Sequence, residues 1–315
     1  MDDIDISEPF DTDESEYFCD SNTIPSSDDS EKLYPSSQLT VVQCLAILFT
    51  WFCSYPGISK EAFSRLLYLL NSFLLPAGNI LPTSYQKARV AIKHFLVPAQ
   101  EYDCCINDCI VFRKCAEGDF KHLSSCPKCG EARYQPCSKI ARKKFKYIPL
   151  VPRFKRMFGN EIASQLLQSH QQENPTEIVS DLHQSPAWKS RYDVMGPFQG
   201  DPRGISLSLC TDGTNPFSKE RVVYSMWPIT LSILNLPRQI RNLPGSIILA
   251  GIIPGKSEPQ NMDPYMEILV DELCSVNGLE LYDSYRNEKF QLKVDLLLHI
   301  LDYPGQNKLF HCQGK

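Results

Sequence analysis

Four cysteines in two close pairs carry the strongest local chemical signal in the chain. Cys105 and Cys109 are separated by three residues, Cys126 and Cys129 by two, and 16 residues lie between the pairs. Two such pairs on tight knuckles present four thiolates to a tetrahedral Zn²⁺ ion. Gly130, directly after the second pair, gives the backbone room to turn its amides toward sulfur. A segment this short and loop-rich buries little core, so metal ligation would supply much of its folding free energy, about 10 kcal/mol or more at neutral pH. Cys104 is an alternative to Cys105 as a ligand, and Cys115 and Cys137 read as bystanders.

A second chemistry needs carboxylates. Asp212 stands in a Thr-Asp-Gly-Thr-Asn-Pro turn directly after a strand-like run, and Asp302 closes another apolar run, QLKVDLLLHIL, at 291–301. A carboxylate held at the end of a rigid strand suits divalent metals, because hard cations take oxygen ligands in fixed geometry. Asp-Gly is also an ordinary turn dipeptide, so Asp212 by itself reads first as a plain turn, and the case for it rests on what lies downstream.

The elements that must position these acids follow a definite order. Ile205, Leu207 and Leu209 alternate with Ser206, Ser208 and Cys210, the period of a strand. The runs 222–234 and 246–253 are apolar and β-branched and predict two more strands, with Pro228 marking an edge or a bulge. Over 264–276, Met266, Leu269, Val270, Leu273 and Val276 recur at helical spacing behind Pro264. The run 291–301 predicts a fourth strand, although an apolar segment of that length also fits a helix. Strand, strand, strand, helix, strand is the order of a ribonuclease H-like core, whose first and fourth strands lie side by side and parallel. Asp212 and Asp302 would then repel strongly unless Mg²⁺ or Mn²⁺ neutralised them.

Upstream, 37–99 predicts three helical segments: VVQCLAILFTWFC, SKEAFSRLLYLLNSFL and TSYQKARVAIKHFL. Ser59 caps the second, with Glu61 in its first turn, and Thr83 is the candidate cap of the third. Such a unit fits a helix-turn-helix DNA reader, a plain bundle or a self-association element. Between the cysteines and the strands, KIARKKFKYIPLVPRFK carries Lys139, Arg142, Lys143, Lys144, Lys146, Arg153 and Lys155 with no acid, interleaved with aromatics. That density suits phosphate contact, a nuclear-import signal or a solvated face. A helix at 161–169 and an irregular connection containing SPAWK follow.

Composition sets the frame. The net charge of −5 hides an asymmetry: twelve acids against Lys32 alone lie in 1–36, so the rest of the chain is net basic. An acidic, serine-rich tail before a polyanion-binding body fits this pattern, as does a plain solvated tail. The 13 cysteines follow a start with no apolar signal-peptide core, which points to a reducing, intracellular setting and metal-bound thiolates. The apolar run 41–53 is too short to span a bilayer. The six histidines show no pairing motif for a hydrolase, and glycine loops for nucleotides are absent.

Taken in order, the chain resembles the CACTA, or En/Spm-type, DNA transposases. The residues that carry the resemblance are CINDCIVFR…CPKCGEARY, YIPLVPRFKRMF, SPAWK, DPRGISLSLCTDGTNPF, YSMWPITLSILNLP, LAGIIPGKSEP and LDYPGQNKL. The resemblance implies a DDE-type metal centre, DNA element ends and target DNA as partners, and a nuclear site of action, with Asp212 as the first catalytic acid and Asp302 as the second. It also implies a third acid further on. Glu280, Asp283 and Asp295 are poorly placed for that role, so the sequence reads as a truncated copy with two acids of three and little activity alone. A non-catalytic zinc-dependent nucleic-acid-binding protein is the alternative. The expected fold is mixed α+β: acidic tail 1–36, helical segment 37–99, zinc ribbon 100–137, basic linker and helix 138–200, and a partial RNase H-like catalytic domain 201–315.

Overall fold

The computed structural model describes residues 31–55, 57–93, 96–172, 179, 181–216, 224–255 and 257–310, and the chain divides into two units, Met1–Leu96 and Val97–Lys315. Residues 1–30 of the acidic segment, positions 94 and 95 of the third expected helical segment, and positions 222 and 223 of an expected strand run lie outside the described residues.

The first unit is helical: α1 (Val41–Ser54), α2 (Lys60–Leu69), a π-helical turn (Leu70–Leu74) and α3 (Tyr85–Ala91). Thr40 and Gln43 close a capping box, each side chain accepting from the other's backbone N–H. Ser59 caps α2 as expected. Ser84, not Thr83, caps α3, because the helix begins one residue later and the Ser84 hydroxyl accepts from the Lys87 N–H at 3.3 Å. Phe63 and Leu67 are fully buried beside Leu45, and the rings of Phe49, Phe52 and Tyr85 surround Phe63.

The second unit opens with β1 (Gln100–Asp103), a small hairpin of β2 (Lys114–Cys115) and β3 (Gly118–Asp119), and β4 (Lys144–Tyr147). Helices α4 (Val151–Phe158), α5 (Glu161–Gln168) and α6 (Pro186–Tyr192) follow, the last turning the SPAWK connection into a capped helix with Trp188 buried. Then come β5 (Ile205–Thr211), β6 (Trp227–Ile233), the short α7 (Arg238–Arg241), β7 (Ile247–Ile253) and α8 (Asp263–Val276). A hairpin of β8 (Glu280–Asp283) and β9 (Glu288–Gln291), β10 (Val294–Ile300) and α9 (Tyr303–Phe310) complete the unit. The architecture is mixed α+β.

One six-stranded sheet organises these elements, in the order β1-β4-β7-β6-β5-β10. β5, β6 and β7 form an antiparallel meander, and β10 returns beside β5 in parallel. The run 291–301 is therefore a strand over most of its length, not a helix. Pro228 lies in a central strand rather than at an edge, and the ladder to β7 shifts register between Ile229 and Thr230, the bulge that a strand proline calls for. Two strands of the sheet, β1 and β4, come from segments that the sequence assigned to the ribbon and the linker. Within β4, Phe145 and Tyr147 point into the core while Lys144 and Lys146 face outward.

Helix α8 buries Tyr265, Ile268, Leu269, Leu273 and Val276. Val270, expected on that stripe, is half exposed, because the helix is rotated to bring the Tyr265–Ile268 side inward. Glu272 lies beside the same stripe. Its carboxylate accepts from the Leu150 and Val151 N–H groups at 2.9 and 3.2 Å and from the Tyr147 hydroxyl. An α8 side chain thus supplies the anion at the N-terminus of α4.

Candidate metal centres

The four paired cysteines converge. The sulfurs of Cys105, Cys109, Cys126 and Cys129 all lie within 4.8 Å of one another. A tetrahedron of Zn–S bonds of about 2.3 Å has edges of about 3.8 Å, so this all-thiol donor set fits a metal ion such as zinc. Each pair rides on a tight reversal. Cys105 donates its N–H to the Ile110 carbonyl and Asp108 closes the turn at φ 58°, while Cys126 bonds Glu131 and Gly130 turns at φ +77°. The Gly130 N–H donates to the Cys126 carbonyl rather than to sulfur, whereas the Asn107 N–H reaches Cys105 Sγ at 3.4 Å. The Glu131 backbone N–H, first among its causes, holds the Cys129 thiol down at about 7, whereas burial pushes Cys105 and Cys109 up.

Cys104 is not a member. Successive residues on extended backbone face opposite ways, and Cys104 enters the sheet's core while Cys105 enters the cluster's own small core with Ile110, Phe112 and Cys126. Burial pushes the Cys104 thiol up to about 12, and it donates to the Tyr102 carbonyl. Cys115 and Cys137 stand outside the cluster.

The knuckle is fastened to the sheet by a residue that the sequence did not single out. Asp108, inside the Cys105–Cys109 loop, is almost fully buried. It pairs with Lys143 Nζ at 2.5 Å, accepts from the Gln260 N–H at 3.1 Å and accepts from the Tyr265 hydroxyl on α8.

The acids lie at the far end of β5 and β10. The parallel ladder sets Ile300 opposite Cys210, and two residues beyond each stand Asp302 and Asp212, both exposed. Both acids therefore leave the sheet at the same end of two neighbouring parallel strands. Asp302 also starts α9, its Oδ1 accepting from the Gly305 N–H at 2.7 Å. A Cβ on Gly305 would lie 2.7 Å from that oxygen and 3.7 Å from the Thr211 carbonyl. Glycine therefore lets Asp302 approach the residue that precedes Asp212.

Other acids are occupied elsewhere. Asp283 is wholly buried, accepting from Ser164, Gln168 and the Tyr285 N–H. Glu280 pairs with Lys289, and Asp295 faces Arg191 at 3.0 Å near the opposite end of β10 from Asp302.

The basic stretch has no acid of its own, yet the fold brings acids to it. Arg142 pairs with Glu131 at 2.5 Å, Lys143 with Asp108, and Lys144 and Lys146 with Glu101 at 3.0 and 3.2 Å. Arg153 is partly buried, and Lys139 and Lys155 are exposed. From Lys144 onward the stretch is built into the fold, as β4 and the start of α4, rather than a free basic arm.

Compared with known proteins, residues 177–315 match the model of a transposase family described as family tnp2. The matched span includes both Asp212 and Asp302, and the cysteine cluster lies upstream of it. No curated protein matches the chain.

Proposed function

We propose that β5 to α9 form part of a DDE-type transposase core of the CACTA, or En/Spm, type, built on a ribonuclease H-like sheet, in which Asp212 and Asp302 together bind Mg²⁺ or Mn²⁺. The single observation that carries this reading is the parallel pairing of β5 with β10, whose register ends at Ile300 and Cys210 with an acid two residues beyond each. The transposase-family match over 177–315 supports DNA as the partner.

The two acids supply hard oxygen ligands at the ends of strands anchored in the core, and the Gly305 N–H fixes one oxygen of Asp302. Bound there, a divalent ion would lower the barrier to in-line displacement at phosphorus by favouring an ionised attacking hydroxyl and neutralising the leaving oxygen. Cys105, Cys109, Cys126 and Cys129 hold zinc as a structural anchor, tied to the sheet through Asp108. Lys139 and Lys155 offer exposed positive charge to the phosphate backbone, whereas Lys143 is committed to Asp108 and Arg142, Lys144 and Lys146 are paired with Glu131 and Glu101. Element ends and target DNA are the proposed ligands, and the nucleus is the proposed compartment.

Manganese binding by the zinc-loaded chain, followed by electron paramagnetic resonance, tests the acid pair. Asp212→Asn and Asp302→Asn are each expected to weaken binding, and affinity equal to wild type in both would overturn the reading. Duplex DNA binding followed by anisotropy across a salt series tests the partner. Affinity should fall with rising salt as counterions are released, and no binding at low salt would remove DNA.

A further inference from the structure

β6 pairs with β5 through Thr211 and Ile229 and resumes, outside the strands, with Thr214 opposite Met226 through two 2.8 Å hydrogen bonds. Between these points the register sets Asp212 opposite Pro228 and Gly213 opposite Trp227. Proline has no N–H to donate, so the rung at Asp212 lacks one of its two bonds. Asp212 and Gly213 stand outside the strands, in the gap between the Thr211–Ile229 and Thr214–Met226 pairs.

The indole of Trp227 fills the gap so made. A Cβ on Gly213 would lie 3.0 Å from Trp227 Nε1 and Cε2, so the ring rests directly against the residue after Asp212. Trp227 is 3% exposed and its Nε1–H donates to Ser225 Oγ at 3.0 Å, which fixes the ring's orientation. The ammonium group of Lys308, on the helix that Asp302 starts, lies 5.6 Å from the centroid of the same ring. Lys308 is held by Glu258 at 2.8 Å and by the Pro259 carbonyl at 3.4 Å. One side chain thus touches both chain segments that carry the acids.

We infer that Trp227 is a positioning residue that holds the Asp212 turn and the Asp302 helix together, so that the two carboxylates share one divalent ion. This rests on the acid-pair reading above. Aromatic contact on one side and a cation over the ring on the other bind it to both segments, and a leucine at 227 supplies bulk without either.

The test is Mn²⁺ affinity of the zinc-loaded chain, measured below the melting temperature of every variant. Trp227→Leu should weaken Mn²⁺ binding by about 10–100-fold, the range seen when outer support of a metal ligand is lost. Trp227→Phe, which keeps a ring over Gly213, should restore most of the affinity. A merely structural role would lower the melting temperature in both variants and leave Mn²⁺ affinity unchanged. Gly213→Ala, whose methyl group would press on the indole, is the second probe should Trp227→Leu fail to fold, and it should also weaken binding. Loss of binding in Asp212→Asn with wild-type affinity in Trp227→Leu, or in Gly213→Ala where that variant stands in, overturns the role of Trp227 and keeps the acid pair. Wild-type affinity in Asp212→Asn overturns both.

Discussion

Asp108 stands between two of the clustered cysteines, yet its carboxylate accepts the hydroxyl of Tyr265 on α8, far along the chain. The same carboxylate pairs with Lys143, also nearly buried. Removing it as Asp108→Ala would leave a buried ammonium and a buried hydroxyl without their acceptor. The expected cost is about 3–5 kcal/mol, as for breaking one side of a buried ion pair. Tyr265→Phe, which removes one donor only, should cost about 1 kcal/mol. Urea denaturation of the zinc-loaded chain reads both; near-equal small losses would show that the ion pair contributes little.

Zinc content separates Cys104 from Cys105. Wild type, Cys104→Ala and Cys137→Ser should each retain one zinc per chain by elemental analysis, whereas Cys105→Ala should lose most of it. The Cys105 sulfur lies 3.4 Å from that of Cys129, while Cys104 faces the sheet's core. Chelation of the wild type should raise amide exchange around 105–112 and 126–131 first, since metal ligation supplies about 10 kcal/mol or more of folding free energy in such loops. Equal zinc loss from Cys104→Ala and Cys105→Ala would overturn the assignment of Cys105 over Cys104 as the ligand.

Asp283 is expected to be structural. It is wholly buried and ties α5 to the β8–β9 turn through Ser164, Gln168 and backbone amides. Asp283→Ala should cost about 3 kcal/mol, the scale of lost hydrogen bonds to a buried charge, and leave Mn²⁺ affinity at the wild-type level in the folded fraction. A folded Asp283→Ala variant that bound Mn²⁺ more weakly would place this residue in the metal site.

The sequence made some of this legible and hid the rest for physical reasons. The alternation at 205–210 and the helical spacing at 264–276 exposed β5 and α8, because burial of one face leaves a period. Cysteine spacing located the cluster, because a tetrahedral ion accepts few loop lengths. β4 stayed hidden since Lys144 and Lys146 dominate a four-residue strand whose inward members are only Phe145 and Tyr147. The β8–β9 hairpin was hidden within charged residues, although Asn287 at φ 57° marks its turn. Asp108 could not be foreseen, because its partners Lys143, Gln260 and Tyr265 are distant in sequence. Nor does a sequence give strand register, on which the relation of Asp212 to Asp302 depends.

His170 should make the fold acid-sensitive. Burial, and next the neighbouring His183, hold its imidazole down at about 4 from an ordinary 6.5. Its Nε2–H donates to the Pro202 carbonyl at 3.2 Å and its ring packs against His183, Trp188 and Tyr192, while Arg241 pairs with Asp181 nearby. The unfolded chain takes up a proton at this site as pH falls through 6.5, and the folded chain does so only near 4. Stability is therefore full above 6.5, declines between 6.5 and about 4 by about 3 kcal/mol, and loses nothing further from this group below that. His170→Gln keeps a hydrogen-bonding group without the titration and should flatten that decline. Urea midpoints at pH 7, 6, 5 and 4.5 decide the matter, and parallel curves for the two proteins would assign the acid loss elsewhere.

Gly305 is the smallest change that reaches the acid pair. A methyl group there would meet Asp302 Oδ1 at 2.7 Å and approach the Thr211 carbonyl, both crowded by the start of α9. No positive φ is involved, so alanine suits the helical backbone itself and even favours it slightly. Steric pressure thus falls on the carboxylate, not on the helix. Gly305→Ala should leave zinc content and melting temperature close to wild type while weakening Mn²⁺ binding by about 10–100-fold, as when a ligand's support is displaced. Gly245→Ala, where a Cβ meets nothing within 4 Å, is the matched control and should change neither. If Gly305→Ala binds Mn²⁺ as wild type does, the Asp302 oxygen bonded to the Gly305 N–H has no part in holding the ion, and the acid must act through its other oxygen or not at all.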